Sequence, residues 1–249
     1  MCIILIVHSW EMGGKMKYKN NMLTEVIFRI DFANPIIEIQ NAVNSNLSRK
    51  ILESFPIQER TNSQELIIGQ GNTFQNMSVV TEWKYYGKNR ERTLILTKDC
   101  LIITLKEYTG FDEFGTFIKE ISRTLFKEYE TVQLRRIGMR YINTFGINEG
   151  ELFDWKDYIN QKLISFFDFY QSKSNYSRLI GNIEFNGNDF NTKMQYGMVN
   201  PNYPTVIKQK TFIIDFDCYS DFFMDTYTEV EEFAVKAHDK IVEIGRAHV

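Results

Sequence analysis

One segment, residues 134–143 (LRRIGMRYIN), constrains the fold more than any other, because apolar and basic side chains alternate along it. The apolar positions are Ile137, Met139 and Tyr141, and the basic positions between them are Arg136 and Arg140, with Gly138 in the middle. A period of two residues is typical of a β-strand that buries one face. The segment therefore predicts a central strand that packs its apolar face against helices and leaves Arg136 and Arg140 on the open face.

The rest of the chain predicts two similar runs of elements. In the first, residues 23–32 alternate as a strand, Asn34 and Pro35 open a helix whose apolar stripe runs from Ile36 to Ile51, and a second helix covers about 114–129. Between these helices, β-rich runs separated by polar turns predict a meander at 65–69, 78–87, 92–98 and 101–108. The second run predicts a strand at 134–145, a helix over about 152–170, strands at 177–185, 190–199 and 207–218, and a helix from about 221.

The predicted order of strand, helix, meander and helix occurs twice, which favours an α+β fold. We expect two pseudo-repeated halves, residues 16–131 and 132–243, that form one mainly antiparallel sheet with helices on one face. This topology resembles the duplicated saddle of TATA-binding-protein-like folds. A chance repeat of two common α+β arrangements would produce the same pattern, so true duplication stays one of two interpretations.

Both ends of the chain have features of non-native sequence. Gly13, Gly14 and Lys15 are what a bacterial ribosome-binding site encodes when it is translated, so residues 1–15 are expected to be a leader before a true start at Met16, with a short strand or apolar anchor as the alternative. Residues 244–249 (IGRAHV) match a translated sequencing adapter. We therefore read residues 16–243 as the native portion.

Composition limits the chemistry that the chain can perform. Of three histidines and three cysteines, His8, His248 and Cys2 lie in the suspect ends, which leaves too few ligands for a zinc cluster or a disulfide framework. The formal net charge of −3 makes non-specific nucleic-acid binding unlikely. We expect a cytoplasmic protein with no cofactor and no membrane-spanning segment.

The chain resembles a sporadically distributed family of uncharacterised bacterial proteins of about 250 residues. The resemblance lies in four features: the RIGMRYIN strand at 136–143, an opening strand that begins LTEV at residue 23, a hairpin leading to Tyr108, and the Ile214–Asp215 pair. The resemblance covers most of the chain. It implies a fold and assigns no catalytic residue. The scattered distribution of that family implies an exchanged locus, such as a toxin–antitoxin or defence cassette.

The basic face of the central strand is the first candidate site. Arg136 and Arg140 flank Gly138, which leaves room for a ligand, and Arg29 on the first strand is expected nearby. The forked donors of arginine suit an anion or an acidic peptide. The alternative interpretation is structural, with each arginine paired to a carboxylate on a neighbouring strand.

Two further candidates lie outside this strand. Glu184, Asp215 and Asp217 could hold a magnesium ion if their carboxylates converged, although neutralisation of the arginines is the simpler role for them. Tyr203 lies between Pro201 and Pro204 in a loop and could anchor a protein partner with Trp83, Tyr85 and Tyr86; otherwise the loop is only a rigid connection.

These observations favour a non-enzymatic module that binds a protein partner, such as the product of a neighbouring gene, through Arg136, Arg140, Arg29 and Tyr203. The alternative is a metal-dependent phosphodiesterase or nuclease that uses Glu184, Asp215 and Asp217. A third interpretation, nucleic-acid binding, is disfavoured by the acidic balance.

Overall fold

The structure is a computed structural model that describes residues 22–68 and 74–246, and the side chains in these ranges apart from those of 64–78 and 246. The predicted leader, the Gly69–Asn72 turn and the last three residues lie outside the described residues. The strands are β1 (Leu23–Phe32), β2 (Ile57–Ile68), β3 (Phe74–Tyr86), β4 (Arg92–Leu96), β5 (Cys100–Leu105), β6 (Leu134–Gly146), β7 (Leu179–Asn186), β8 (Asn191–Met198) and β9 (Thr211–Ser220). The helices are α1 (Glu38–Asn41), α2 (Ser45–Ser54), α3 (Phe111–Glu128), α4 (Gln161–Ile164) and α5 (Tyr227–Arg246).

The protein has an α+β fold built on a sheet of nine strands in the order β2-β3-β4-β5-β1-β6-β9-β8-β7. The described residues divide into two compact units. The first unit comprises Ile27–Gly138 and Ser220–Val235, and the second comprises Met139–Tyr219 with residues 22–26 and 236–246. No helix of the described chain is long and apolar enough to cross a membrane.

In the first unit, the helices cover the apolar face of an antiparallel meander. Tyr85, Leu94 and Ile103 lie side by side on β3, β4 and β5, and all three are fully buried. The ring of Phe114 on α3 packs edge-on against Phe28 of β1, with 6.5 Å between the ring centroids. The same face of each strand therefore meets the helices, as the period-2 pattern predicts.

The helix predicted to open at Asn34 and Pro35 and to end before Phe55 is wrong in its start and in its continuity, whereas its end is confirmed. The chain forms α1, leaves helical geometry at Ala42, and begins again as α2 with Asn44 as its N-cap. The Asn44 side chain accepts hydrogen bonds from the backbone N–H groups of Asn46 and Leu47. Because an asparagine side chain can satisfy N–H groups that lack a helical partner, this internal cap separates two helices that share one apolar stripe.

The outermost strand of the meander begins earlier than predicted. The sequence predicted a strand only at 65–69, whereas β2 starts at Ile57 and pairs with β3 along its length. Residues 58–63 (QERTNS) are polar on both faces and are mostly exposed. An edge strand that buries neither face has no alternation, so its pattern could not reveal it.

In the second unit, the helix predicted over 152–170 is wrong for most of its length. Turns occupy 152–158, α4 spans only four residues, and a 3₁₀ turn follows at Ser165–Asp168. Trp155 is fully buried in this segment, and its ring lies 5.3 Å from that of Phe212 on β9. The aromatic residues whose spacing predicted a helix belong instead to an irregular segment, which packs Trp155 against the core.

The other elements of the second run were predicted closely. β6, β7 and β8 lie within two residues of their expected bounds, whereas β9 begins at Thr211 rather than at 207 and the final helix starts at Tyr227 rather than near 221. Residues before it are extended, since Met224 pairs with Leu134 through two backbone hydrogen bonds of 2.8 and 3.1 Å.

Burial of Cys218 predicts a loss of stability at alkaline pH. Desolvation raises the pKa of its thiol from 9.0 to about 12, although a hydrogen bond with Thr192 acts in the opposite direction. Above pH 9 the unfolded chain releases a proton that the folded chain keeps, so the free energy of unfolding should fall by up to about 1.4 kcal/mol per pH unit. Urea unfolding between pH 9 and 12 measures this slope.

The matched variant is Cys218→Ala, which should flatten that decline. A residual slope is expected in the variant, because burial also raises the pKa values of Tyr85 and Cys100. Equal slopes for the two proteins would contradict the assignment to Cys218.

Candidate functional site

The central strand β6 exposes and buries the side chains that its sequence predicts. Ile137, Met139 and Tyr141 are buried, while Arg136 and Arg140 are about half-exposed. Tyr141 is fixed on the buried face, where its hydroxyl lies 2.9 Å from Nδ1 of His238 on α5. Arg136 belongs to the first unit and Arg140 to the second.

Arg140 is held by a carboxylate. Its Nε and Nη2 donate to the two oxygens of Asp215 on β9 at 2.8 and 2.5 Å, so the pair is bidentate. The Asp215 side chain is only 7% exposed, whereas that of Arg140 is 44% exposed. These hydrogen bonds raise the pKa of Arg140 above its ordinary value and hold the guanidinium in one orientation.

The polar row continues from Asp215 across the neighbouring strands. Gln195 of β8 stands opposite Asp215, and its amide donates to the Asn182 side chain of β7 at 3.1 Å. A second row runs alongside, in which Lys193 stands opposite both Asp217 and Glu184 and contacts the latter at 3.4 Å. This face therefore carries a network of two cross-strand ion pairs, Arg140–Asp215 and Lys193–Glu184, and hydrogen-bonded amides.

These contacts separate the carboxylates of Glu184, Asp215 and Asp217, which the sequence suggested as metal ligands. Asp215 is engaged by Arg140, and Lys193 lies between Asp217 and Glu184 in the strand order. Within residues 22–68 and 74–246, no three His, Cys, Asp or Glu side chains are grouped so that they could hold a metal ion. The arrangement is that of ion pairs across strands.

Arg29 in the first unit has a similar partner. Its guanidinium donates to both oxygens of Asp31, two residues further along β1, at distances between 2.7 and 3.1 Å. Asp31 is buried and Arg29 is half-exposed. The hydrogen bonds to Asp31 raise the pKa of Arg29, so this guanidinium stays charged beside its carboxylate.

Arg136 pairs with an aspartate that two exposed aromatic residues follow directly in the chain. It contacts Asp221 at 3.0 Å, and the next two residues, Phe222 and Phe223, are 62% and 73% exposed. We call the set of Arg136, Asp221, Phe222 and Phe223 the Phe222 surface. It combines an arginine with a pair of large apolar side chains in one place.

Tyr203 is exposed in the second unit, and it is accompanied by aromatic residues other than those expected. The Arg178 guanidinium lies over its ring at 4.2 Å, and Phe169 and Tyr170 are exposed on a neighbouring loop. The expectation that Tyr85 would act as an exposed anchor is wrong, because Tyr85 is fully buried. Trp83 is directed to the helices and donates its indole N–H to the Ile39 carbonyl at 2.7 Å.

Sequence reasoning missed the pairs Phe222–Phe223 and Phe169–Tyr170. Each pair consists of adjacent aromatic residues at one end of a segment that the sequence assigned to a helix, and neither pair was named as a candidate site or as part of the core. Both pairs lie at the ends of the predicted helices and outside their apolar stripes, and that position is the signal that could have identified them.

No protein-family model matches this chain, and no curated protein is similar to it.

Proposed function

We propose that this protein is a non-enzymatic binding module that docks a protein partner on the Phe222 surface. The observation that carries the proposal is the exposure of Phe222 and Phe223 beside Arg136. Large apolar side chains grouped at a surface are typical of interaction sites, and aromatic residues with arginine are enriched where binding energy is concentrated.

The segment that carries these residues is ordered by several hydrogen bonds. Met224 pairs with Leu134 in both directions, and the Phe222 N–H donates to the hydroxyl of Ser220. The Glu229 carboxylate accepts from the backbone N–H groups of Asp225 and Thr226, which caps α5. A surface that is already fixed loses less conformational entropy when a partner binds.

Arg136 would act as the polar edge of this surface. Its side chain is about half-exposed, so the accessible part of its guanidinium can donate to a carboxylate of a partner. The partner is proposed to be the product of a neighbouring gene, in a toxin–antitoxin or defence locus, as the RIGMRYIN resemblance implies. A cytoplasmic location is part of the same proposal.

We further propose that the fold arose by duplication. The first half of the chain supplies β1, two short helices, four meander strands and α3; the second supplies β6, α4, three meander strands and α5. In the sheet order, β1 and β6 are neighbours and the two meanders extend outwards from them in opposite directions. This mirrored order supports a saddle-like topology related to that of TATA-binding-protein-like folds.

The test is to produce the protein together with the products of its neighbouring genes and to measure complex formation by size-exclusion chromatography and mass spectrometry. Arg136→Glu, and separately Phe222→Ser with Phe223→Ser, should weaken the complex by at least about tenfold. Circular dichroism and thermal melts should show folded variants, since Phe222 and Phe223 are exposed and Arg136 is about half-exposed.

Matched controls are Arg49→Glu and Ile37→Ser, which change an exposed basic and an exposed apolar residue elsewhere in the first unit. A complex that survives the Phe222-surface changes would overturn the proposal. A solitary protein with magnesium- or manganese-dependent phosphodiester cleavage that Asp215→Ala removes would favour the nuclease alternative.

A further inference from the structure

The second unit has an exposed basic and aromatic surface that the Phe222 surface does not include. It comprises Phe169, Tyr170, Arg178, Tyr203, Val206 and Lys208, and we call it the Tyr203 surface. Phe169 is 92% exposed and Tyr203 is 56% exposed. Such exposure of large aromatic side chains is unusual unless a partner covers them.

Contacts among its loops bring these residues together. The backbone N–H of Tyr170 donates to the Tyr176 hydroxyl at 3.0 Å, and the N–H of Ile207 donates to the Tyr176 carbonyl at 2.8 Å. The Asn200 amide then joins the two loops, since it donates to the carbonyls of Ser177 and Thr205. Tyr176 therefore links the Phe169 loop to the loop that carries Tyr203.

The charge of this surface is opposite to that of the whole chain. The chain has a net charge of −3, yet residues 161–178 and 199–210 contain the basic residues Lys162, Lys173, Arg178, Lys208 and Lys210 against Asp168. Lys173 pairs with Asp168, and Lys210 donates to the carbonyl of Glu149. Neither Arg178 nor Lys208 has an ion-pair partner within the described part of the chain.

We infer that the Tyr203 surface binds a short acidic peptide segment that carries an apolar side chain, as a binding site separate from the Phe222 surface. Carboxylates of the segment pair with Arg178 and Lys208, and its apolar side chain packs on Phe169, Tyr170 and Tyr203. Arg178 already lies over the Tyr203 ring, so its guanidinium edge is positioned to donate to a carboxylate.

A protein segment fits this surface better than a nucleic acid does. A nucleic-acid strand carries a charge at every nucleotide and needs an extended basic track. The adjoining loop is acidic instead, with Glu149, Glu151, Asp154 and Asp157, and it contacts the surface where Phe153 packs against Tyr176 at 5.9 Å. An acidic peptide can place its few charges at the basic residues alone.

The test uses a synthetic, fluorescein-labelled peptide of alternating glutamate and phenylalanine or leucine, with fluorescence anisotropy as the measurement. Its glutamine analogue tests the charge requirement, and an all-glutamate peptide tests the apolar requirement. Arg178→Glu, and separately Phe169→Ser with Tyr203→Ser, should each weaken binding of the first peptide by about tenfold or more. Binding should also weaken as salt rises.

Lys240→Glu and Phe185→Ser are the matched controls, because they change a basic residue and an exposed aromatic residue elsewhere in the second unit. The inference is overturned if the acidic apolar peptide does not bind, or if the Tyr203-surface variants bind it as the controls do. It is also overturned if a fluorescein-labelled oligothymidylate binds more tightly and loses affinity in the same variants, since the surface would then serve nucleic acid. Changes at Phe222 and Phe223 should leave peptide binding unchanged, so the two surfaces can fail separately.

Discussion

Replacement of Arg140 by alanine should lower the free energy of unfolding by about 2–3 kcal/mol, because it leaves the buried carboxylate of Asp215 without its cation. A fully buried pair would lose about 3–5 kcal/mol, and the smaller figure reflects the 44% exposure of the Arg140 side chain. Urea unfolding followed by circular dichroism measures the difference.

Asp215→Asn is the matched change on the other side of the pair. It should cost less than Arg140→Ala, since the half-exposed guanidinium can turn to solvent whereas the carboxylate of Asp215 cannot. The double variant Arg140→Met with Asp215→Leu should recover part of the loss, because no charge is then buried. If Arg140→Ala keeps full stability but loses a protein partner, Arg140 serves binding rather than the sheet.

Trp155→Ala should lower the free energy of unfolding by about 3–5 kcal/mol, the cost of removing a fully buried large aromatic side chain. The indole packs against Phe212, and its N–H lies 3.3 Å from the sulfur of Met198. Thermal melts and urea unfolding measure the loss. Trp155→Phe should cost less, because a ring still occupies most of the space.

The consequence of Trp155→Ala extends to the Tyr203 surface. Trp155 anchors the looped segment that leads to Phe169, and its ring also contacts the ammonium of Lys210 at 5.4 Å. We expect the variant to bind the acidic peptide less well even at temperatures where it remains folded. Phe169→Ala, which changes an exposed residue of the same segment, should shift stability by no more than about 0.5 kcal/mol. An equal loss of stability in the two variants would contradict the role given to Trp155.

The strands with one buried face could be predicted from the sequence. β1 has the predicted bounds, and β6 buries Ile137, Met139 and Tyr141 as its alternation indicates. Successive side chains of a strand point to opposite faces, so alternation of apolar and polar residues in the sequence predicts which side chains are buried. The amphipathic helix α3 was predicted for the same reason, with a period of 3.6 residues.

Elements without such a pattern could not be predicted in this way. The first half of β2 is polar on both faces, and the segment at 152–158 places aromatic residues at helical spacing although it forms turns around Trp155. The first half of β2 is a strand because it pairs with β3 through backbone hydrogen bonds. The segment at 152–158 forms turns because Trp155 packs against Phe212. Neither neighbour is encoded in the segment itself.

The sequence by itself determined which side chains each central strand buries and therefore that Arg29, Arg136 and Arg140 reach the open side of their strands. The partners of Arg140 and Arg136 depend on the tertiary structure, because Asp215 and Asp221 are 75 and 85 residues away along the chain, whereas Arg29 pairs with Asp31 on its own strand. The tertiary structure also decided that Phe222, Phe223 and Phe169 are exposed rather than buried. The periodicity of the sequence shows on which face of its own strand or helix a residue lies. Whether that face is exposed depends on how the other elements pack against it, and this packing is not encoded in the segment itself.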